Sequence, residues 1–433
     1  MSGFQKFAFS PVLTDNIARA GYTEPTPIQN EAIPYVLQGH DLLGLAQTGT
    51  GKTAAFALPT LQRLMTGQRK VGAQSGLVPR SGHVHPRTGK VRALVIAPTR
   101  ELAEQINEVF IALGKSCNLR SVTIYGGASM NRQLQELRRG AEIVVACPGR
   151  LLDHIQRRSI SLKEVETLIL DEADQMFDMG FLPAIKKIVA ELPKERQTLL
   201  FSATMPEEIR KLSQQVLRNP TKVELARGPV ATISHALYPV NQELKTALLL
   251  HLLKTCGTEA ILIFTKTKHK ATRIAEQVAK AGYSTAALQG NLSQNRRQKA
   301  LDGFRSGEYQ ILVATDIAAR GIDVNNITHI INYDVPANGE TYIHRIGRTA
   351  RAAKSGEAFT FITGEDKGIV RDIERTLGKP IERRFVDDFD YKGMSKTAHT
   401  AAPATGNAQA KAGSRPKAQD KPRRRQFKGF GRR

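Results

Sequence analysis

Ala46-Gln47-Thr48-Gly49-Thr50-Gly51-Lys52-Thr53 decides how this chain folds and what it holds. The apolar run Leu42-Leu43-Gly44-Leu45 precedes it, and the helix-forming stretch Ala54-Ala55-Phe56-Ala57-Leu58 follows it. A strand, a glycine-rich turn ending in Gly-Lys-Thr, and a helix make a cradle for a polyphosphate. Gly49 and Gly51 let backbone N–H groups point inward, where a side chain would block them. The helix N-terminus adds the positive end of its dipole. Lys52 is then placed to reach the β- and γ-phosphates, and the Thr53 hydroxyl to ligate Mg²⁺. The strict pattern begins with glycine, and this chain has Ala46 there.

Working outward, short apolar runs alternate with helical stretches. Ala93–Ala97, Ile143–Ala146, Leu168–Leu170 and Thr198–Phe201 predict buried parallel strands, and Ile261–Phe264, Ile311–Ala314 and His329–Asn332 repeat the pattern. The strands fall into two sets, which predicts two α/β domains joined near residues 227–234. Only the first set carries a phosphate loop, so one nucleotide site per chain is expected.

The chain has 433 residues and a formal net charge of +23, which calls for a polyanionic partner. Twelve Lys or Arg and a single acid lie between Tyr391 and Arg433. That stretch lacks core-forming residues and is expected to be a disordered basic tail. Residues 66–92 form a Gly- and Lys/Arg-rich insertion, expected to be a surface loop. The three cysteines, Cys117, Cys147 and Cys256, are far apart and have no paired spacing. This argues against a disulfide framework or a zinc site and for a reducing, cytoplasmic setting. No apolar stretch reaches transmembrane length, so no membrane partner is expected.

Leu168-Ile169-Leu170 runs into Asp171-Glu172-Ala173-Asp174. Carboxylates at a strand tip downstream of a phosphate loop suit Mg²⁺ and water: Asp171 to hold the metal, Glu172 to orient or deprotonate the attacking water. The four residues spell DEAD, and the chain to about residue 370 resembles the DEAD-box RNA helicases. Gly21-Tyr22-Thr23-Glu24-Pro25-Thr26-Pro27-Ile28-Gln29, with Phe4 upstream, is similar to the family's Q motif. The resemblance implies that Gln29 pairs with the adenine edge and that Phe4 stacks on the ring. It also makes all of Ala46, Gln47, Thr48, Gly49, Thr50, Gly51, Lys52 and Thr53 ATP-binding.

Further motifs follow in order. Pro98-Thr99-Arg100, Gly126-Gly127 and Gly149-Arg150 resemble RNA-backbone motifs, as do Gln294, Arg297 and Thr315 later in the chain. Cys147 stands where the family usually has Thr, and Gln289 where it usually has His. Ser202-Ala203-Thr204 resembles the motif coupling ATP state to strand separation, with Asp174 and His344 as its implied partners. Ala314-Thr315-Asp316-Ile317-Ala318-Ala319-Arg320-Gly321-Ile322-Asp323 implies a ribose contact from Asp323. In Tyr342-Ile343-His344-Arg345-Ile346-Gly347-Arg348-Thr349-Ala350-Arg351, Arg348 and Arg351 are implied to be arginine fingers acting in cis, and Ala350 replaces the usual Gly.

The resemblance therefore implies two tandem RecA-like domains with parallel sheets plus the basic tail. The expected segments are a Q-motif segment 1–30, an ATP-binding domain 31–226, a linker 227–234, a second domain 235–384 and a tail 391–433. It implies RNA-stimulated ATP hydrolysis using Lys52, Glu172, Arg348 and Arg351, with ATP and Mg²⁺ as cofactors. RNA is the expected partner, held by its backbone with little sequence preference and with added affinity from the tail. Proteins of ribosome assembly or RNA decay are further expected partners. Compact length and a short basic tail look most like the bacterial RhlE-type group. A DNA or general nucleic-acid translocase, and an RNA-annealing protein working through its tail, are the alternatives.

Overall fold

The computed structural model describes residues 3–47, 49–67, 89–225, 233–256, 260–319, 327–349 and 356–391. Seven strands build a first sheet: β1 (Leu42–Leu45), β2 (Ala93–Ile96), β3 (Ser121–Ile124), β4 (Ile143–Ala146), β5 (Thr167–Leu170), β6 (Gln197–Ser202) and β7 (Thr221–Glu224). Seven more build a second: β8 (Ile233–Pro239), β9 (Ile261–Thr265), β10 (Thr285–Leu288), β11 (Ile311–Thr315), β12 (His329–Asn332), β13 (Gly356–Ile362) and β14 (Glu382–Arg383).

Around the first sheet lie α1 (Pro11–Arg19), α2 (Pro27–Leu37), α3 (Lys52–Thr66), α4 (Arg100–Leu113), α5 (Met130–Arg138), α6 (Pro148–Gln156), α7 (Ala173–Asp178), α8 (Leu182–Ala190) and α9 (Glu207–Val216). Around the second lie α10 (Lys245–Thr255), α11 (Lys268–Lys280), α12 (Gln294–Ser306), α13 (Asp316–Ala319), α14 (Gly339–Ile346) and α15 (Lys367–Leu377).

The strand orders are β3-β4-β2-β5-β6-β1-β7 and β10-β11-β9-β12-β13-β8-β14, and every pairing is parallel. The two orders are one permutation used twice. Parallel pairing forces a crossover helix after nearly every strand, so both sheet faces are covered and the central strands are apolar throughout. Alternation along each strand divides the core: Ala93 and Val95 pack on one face, Leu94 and Ile96 on the other. Ile261 and Ile263 are likewise separated from Leu262 and Phe264 in the second sheet.

This topology assigns chemistry to position. All strands of a sheet end at the same edge, and binding loops of open α/β sheets lie at those carboxyl ends. The glycine-rich loop follows β1, the DEAD carboxylates follow β5, and Ser202-Ala203-Thr204 closes β6. The Pro98-Thr99-Arg100, Gly126-Gly127 and Cys147-Pro148-Gly149-Arg150 segments follow β2, β3 and β4, on the other half of the sheet. In the second domain the corresponding β9, β10 and β11 lead into Lys266, Gln289 and Thr315-Asp316.

The insertion leaves after α3 and returns before β2, so its described ends sit at the opposite edge of the sheet. There the Gly89 N–H donates to Glu142 Oε1 at 3.0 Å. Residues 68–88 lie outside the described residues, as do Thr48, residues 226–232, Asp323, Ala350, Arg351 and the tail from residue 392. The second sheet already begins at Ile233, inside the stretch expected as linker.

Candidate active site and nucleic-acid face

The nucleotide cradle is built at the end of β1. Gly49 and Gly51 take φ of +82° and +90°, left-handed values that only glycine adopts without strain. A side chain at Gly51 would also put its Cβ 2.5 Å from Gln29 Nε2. Lys52 is buried and its Nζ donates to the Ala46 carbonyl at 2.8 Å. The Thr50 hydroxyl closes the turn on the Gln47 carbonyl at 2.8 Å. A cavity of about 570 Å³ opens beside this loop, walled by Thr26, Gln47, Gly49, Thr204, Met205 and Leu225 among others. That volume lies in the range of small-molecule sites. Thr53 is the second residue of α3 and is half-buried.

Gln29 and Phe4, expected at the adenine, are both buried. Gln29 Oε1 accepts from the Thr26 N–H at 2.9 Å, and its Nε2 donates to the Gly51 carbonyl at 3.1 Å. The side chain thus ties the start of α2 to the phosphate loop, and each amide atom keeps one further hydrogen-bonding valence. Phe4 packs edge-on against Phe7 and Tyr22, each at 6.1 Å, and does not line the cavity.

Three carboxylates meet at the end of β5. Asp171 and Glu172 are 2% and 3% exposed. Burial pushes Asp171 above the usual carboxylate range, against the pull of Lys52. Glu172 is pushed up to about 7, by burial first and then by Asp171, with Arg348 and Lys52 opposing. Its Oε2 has no hydrogen-bond partner, and its backbone sits at φ +53°, ψ +52°. A non-glycine residue in the left-handed region stores strain of order 1–3 kcal/mol, a feature concentrated at reactive sites. Two buried carboxyls whose ionised forms are disfavoured by burial, one with an orphaned oxygen, suit a divalent cation, whose charge would offset that cost. The described residues contain no cluster of three or more His, Cys, Asp or Glu side chains that would cage a metal alone. Such a donor set fits Mg²⁺, which takes one or two protein ligands and completes its shell with water and phosphate.

Asp174 is the most heavily bonded of the three. Its Oδ2 accepts from Ala203 N at 3.0 Å, Thr204 N at 2.8 Å and Thr204 Oγ1 at 3.1 Å. The Asp174 N–H donates to Ser202 Oγ at 3.2 Å, and Ser202 Oγ donates to the Thr204 carbonyl at 2.7 Å. His344 of the second domain brings Nε2 to 3.9 Å from the same Oδ2. Arg348, buried, faces the carboxylates closely enough to hold down the Glu172 pKa. Gln175, His344, Arg345 and Arg348 border one small cavity between the domains.

Arg345, to which the sequence alone assigns no role, is the hub that holds α14 in place. Its Nε and Nη2 grip the two oxygens of Asp316 at 2.6 and 2.8 Å. Its Nη1 donates to Asn332 Oδ1 and to the Asp334 carbonyl, and its guanidinium lies 4.9 Å over the Phe264 ring. Its sequence neighbours give no signal that separates it from Arg348.

On the other half of the first sheet, Thr99 Oγ1 caps α4 by accepting from Leu102 N at 3.2 Å, beside the buried Pro98. The Arg100 guanidinium lies across the Gly126-Gly127 turn: a Cβ at Gly127 would meet its Nη1 at 2.2 Å. Arg150 Nη1 donates to the Ala128 carbonyl at 3.1 Å. A Cβ at Gly149 would meet nothing within 4 Å, which leaves open space above the first turn of α6. Cys147 occupies the N-cap of α6 without making a side-chain cap, and burial keeps its thiol neutral, pushed up to about 12.

From the second domain, Gln294 Oε1 accepts from Arg100 Nη1 at 3.4 Å. Arg297, expected at RNA, is buried and gives its guanidinium to Glu101. Thr315 stands half-buried at the end of β11. On this half of the sheet the domains therefore touch through two adjacent residues, Arg100 and Glu101, whose pairing across the boundary their residue types do not announce.

Residues 26–212 match the DEAD/DEAH box helicase family, and residues 244–353 match the helicase conserved C-terminal domain. The chain is 41% identical over 389 residues to the DEAD-box ATP-dependent RNA helicase CshA of Bacillus licheniformis, covering 89% of this chain and 76% of that protein. The name of this relative does not carry the RhlE-type placement. Yeast (S. cerevisiae) Dbp5 bound to RNA and ADP BeF3 superposes with a TM-score of 0.76 at 30% identity, over 89% of this chain and 96% of that one. A DEAD box protein from Methanococcus jannaschii is 35% identical over 89% of this chain and 99% of its own, yet superposes at only 0.51.

Proposed function

The chain belongs to the DEAD-box helicases and is an ATP-dependent RNA helicase with RNA-dependent ATPase activity, and we propose how its residues divide that work. ATP lies in the cavity beside the glycine-rich loop. Lys52 turns from the Ala46 carbonyl to the β- and γ-phosphates, and the N–H groups around Gly49 and Gly51 cradle them. Bound Mg²⁺, held through Thr53 and Asp171, would neutralise charge on the phosphates. Glu172, poised near neutrality, orients a water molecule and accepts its proton. Arg348 stabilises charge developing on the transferred phosphoryl group, and Arg351 and Asp323 are proposed to add a second cation and a ribose contact.

The observation that carries this reading is the convergence on Asp174. One carboxylate oxygen gathers three hydrogen bonds from the Ser202-Ala203-Thr204 segment and faces His344 of the other domain. A change at the γ-phosphate is thereby felt both at the strand-separating segment and at the domain boundary. RNA lies across the ends of β2, β3 and β4 and of β10 and β11, touched by Arg100, Gly126, Gly127, Gly149, Arg150, Gln294 and Thr315. Contacts to phosphate and 2′-OH give little sequence preference. ATP and RNA both favour the closed arrangement, so each strengthens binding of the other. The free cysteines Cys117, Cys147 and Cys256 support a cytoplasmic setting.

The test is ATP hydrolysis by the purified chain alone, with single-stranded RNA, and with matched DNA. Stimulation by RNA only is expected. Equal stimulation by DNA would overturn the choice of RNA and favour a general translocase.

A further inference from the structure

A buried polar relay runs beneath the Gly126-Gly127 turn and is not part of the catalytic geometry above. His154, in the last turn of α6, is fully buried. Its Nε2 lies 3.2 Å from Gln133 Oε1 on α5, and Gln133 Nε2 donates to the Tyr125 carbonyl at 2.9 Å. Tyr125 is the residue immediately before Gly126-Gly127. On the other side, His154 Nδ1 lies 2.8 Å from Ser159 Oγ.

We propose that His154 is a positioning residue for RNA binding: with Nε2–H donated to Gln133, it fixes the Tyr125 carbonyl and so sets the height of the Gly126-Gly127 turn at the RNA face. The proposal rests on the reading that this turn meets the RNA backbone.

The hydrogen-bond roles follow link by link. The Tyr125 carbonyl can only accept, so the Gln133 amide must present nitrogen to it and oxygen to His154. That oxygen can only accept, so His154 must carry its proton on Nε2. Nδ1 is then left as an acceptor for the Ser159 hydroxyl, whose single proton is shared with the His154 carbonyl at 3.0 Å. Burial, with Arg150 and Arg157 adding to it and Asp153 opposing, lowers the His154 pKa and favours the neutral ring that this arrangement uses.

The same helix holds the turn at a second point, through Arg150 Nη1 on the Ala128 carbonyl. The turn is therefore clamped to α6 from both ends, Tyr125 before it and Ala128 after it. Gly127, at φ +79° and without a Cβ, is covered from above by the Arg100 guanidinium, and the relay holds the carbonyl that leads into the turn from below. Without His154 the Gln133 amide loses the partner that fixes its orientation, and the turn can relax.

The experiment compares His154→Leu, His154→Gln and Gln133→Leu with the parent in RNA-stimulated ATP hydrolysis, with melting temperature measured alongside. His154→Leu should raise the RNA concentration for half-maximal stimulation roughly three- to tenfold, the size one neutral hydrogen bond carries. The rate at saturating RNA and the affinity for a fluorescent ATP analogue should stay unchanged. Gln133→Leu should give the same shift, and His154→Gln, which returns an N–H near Nε2, should recover most of it.

Arg150→Gln is the control for the underlying reading. Should it weaken RNA binding while His154→Leu and Gln133→Leu lower only the melting temperature, the relay is structural and the proposal falls alone. Should Arg150→Gln leave the RNA dependence untouched, the reading of the RNA face falls and takes the proposal with it.

Discussion

Arg297 of the second domain and Glu101 of the first form a buried ion pair across the domain boundary, with Nε 2.8 Å and Nη2 2.7 Å from the same carboxylate oxygen. Their side chains are 10% and 3% exposed. The pair is made only when the domains meet, so its loss acts on closure rather than on folding of either domain. Removing one partner strands the other charge, at a cost of about 3–5 kcal/mol in buried settings. Arg297→Ala should therefore shift the protein toward the open arrangement and cut RNA-stimulated hydrolysis at least tenfold. The double variant with Glu101→Ala should be less impaired than Arg297→Ala alone, because no unpaired charge remains. Fluorescence transfer between labels on the two domains, with ATP analogue and RNA present, checks the first claim. Hydrolysis rates check the second.

Glu172→Gln should lower hydrolysis by about 10²–10⁴-fold, the range for a lost general base, with ATP binding retained. It should also stabilise the protein at alkaline pH. The folded Glu172 pKa, about 7, lies above the ordinary value of 4.5. The unfolded chain therefore releases this proton first, and the folded state loses stability as pH rises through that window. In Glu172→Gln that loss is absent, so its melting temperature at pH 8 should exceed the parent's by a few degrees, on the order expected for a change of 1–2 kcal/mol in a chain of this size. Thermal melts at pH 5 and pH 8 decide it.

Ionised Glu172 is the active base, so kcat/KM for ATP should fall as pH drops below about 7. Arg348 holds that pKa down. Arg348→Ala should then do two separable things: slow hydrolysis by about 10³–10⁵-fold, as loss of an arginine finger does, and move the remaining pH profile toward alkali. A slowed variant with an unmoved profile would assign Arg348 to the phosphoryl group without the electrostatic link to Glu172.

Thr204→Ala removes one of three hydrogen bonds to Asp174 Oδ2 and leaves both backbone donors in place. Hydrolysis should stay within roughly threefold, since one neutral hydrogen bond is worth about 1 kcal/mol. Duplex unwinding should fall much further, because the segment that senses Asp174 is the one altered. Parallel loss of both activities would remove the coupling role.

Deleting Lys411–Arg433 takes away ten Lys and Arg residues. RNA binding should weaken and its logarithmic salt slope should flatten, by about 0.7 for each phosphate of a single strand that the tail neutralises. A salt slope equal to the parent's would make the tail a solubilising segment only.

Fold class was legible because parallel strands buried on both faces must be apolar along their whole length, as Ile143–Ala146 and Ile261–Phe264 are. Two inner strands, β8 and β13, were missed because polar residues interrupt them, Ser234 and His235 in one and Glu357 and Thr360 in the other, and edge strands were missed because they are not apolar along their length. β3, β7 and β10 are only partly buried, so Ser121–Ile124, Thr221–Glu224 and Thr285–Leu288 do not read as apolar runs. The glycine-rich loop and the DEAD carboxylates were legible because their chemistry is local: a backbone that needs φ > 0, and acids at a strand tip.

What the sequence left undecided was which distant residues meet. Arg297 and Arg345 stand in the same motifs as Gln294 and Arg348, and nothing in residue type says which of them faces a ligand. The tertiary structure directs Arg297 to Glu101 and Arg345 to Asp316. It also shows Gln29 bonded to Gly51 and His154 linked through Gln133 to Tyr125. A motif fixes which groups are available. Burial then decides which of them must be spent on one another, because a charge or amide taken out of water has to find its partner within the fold.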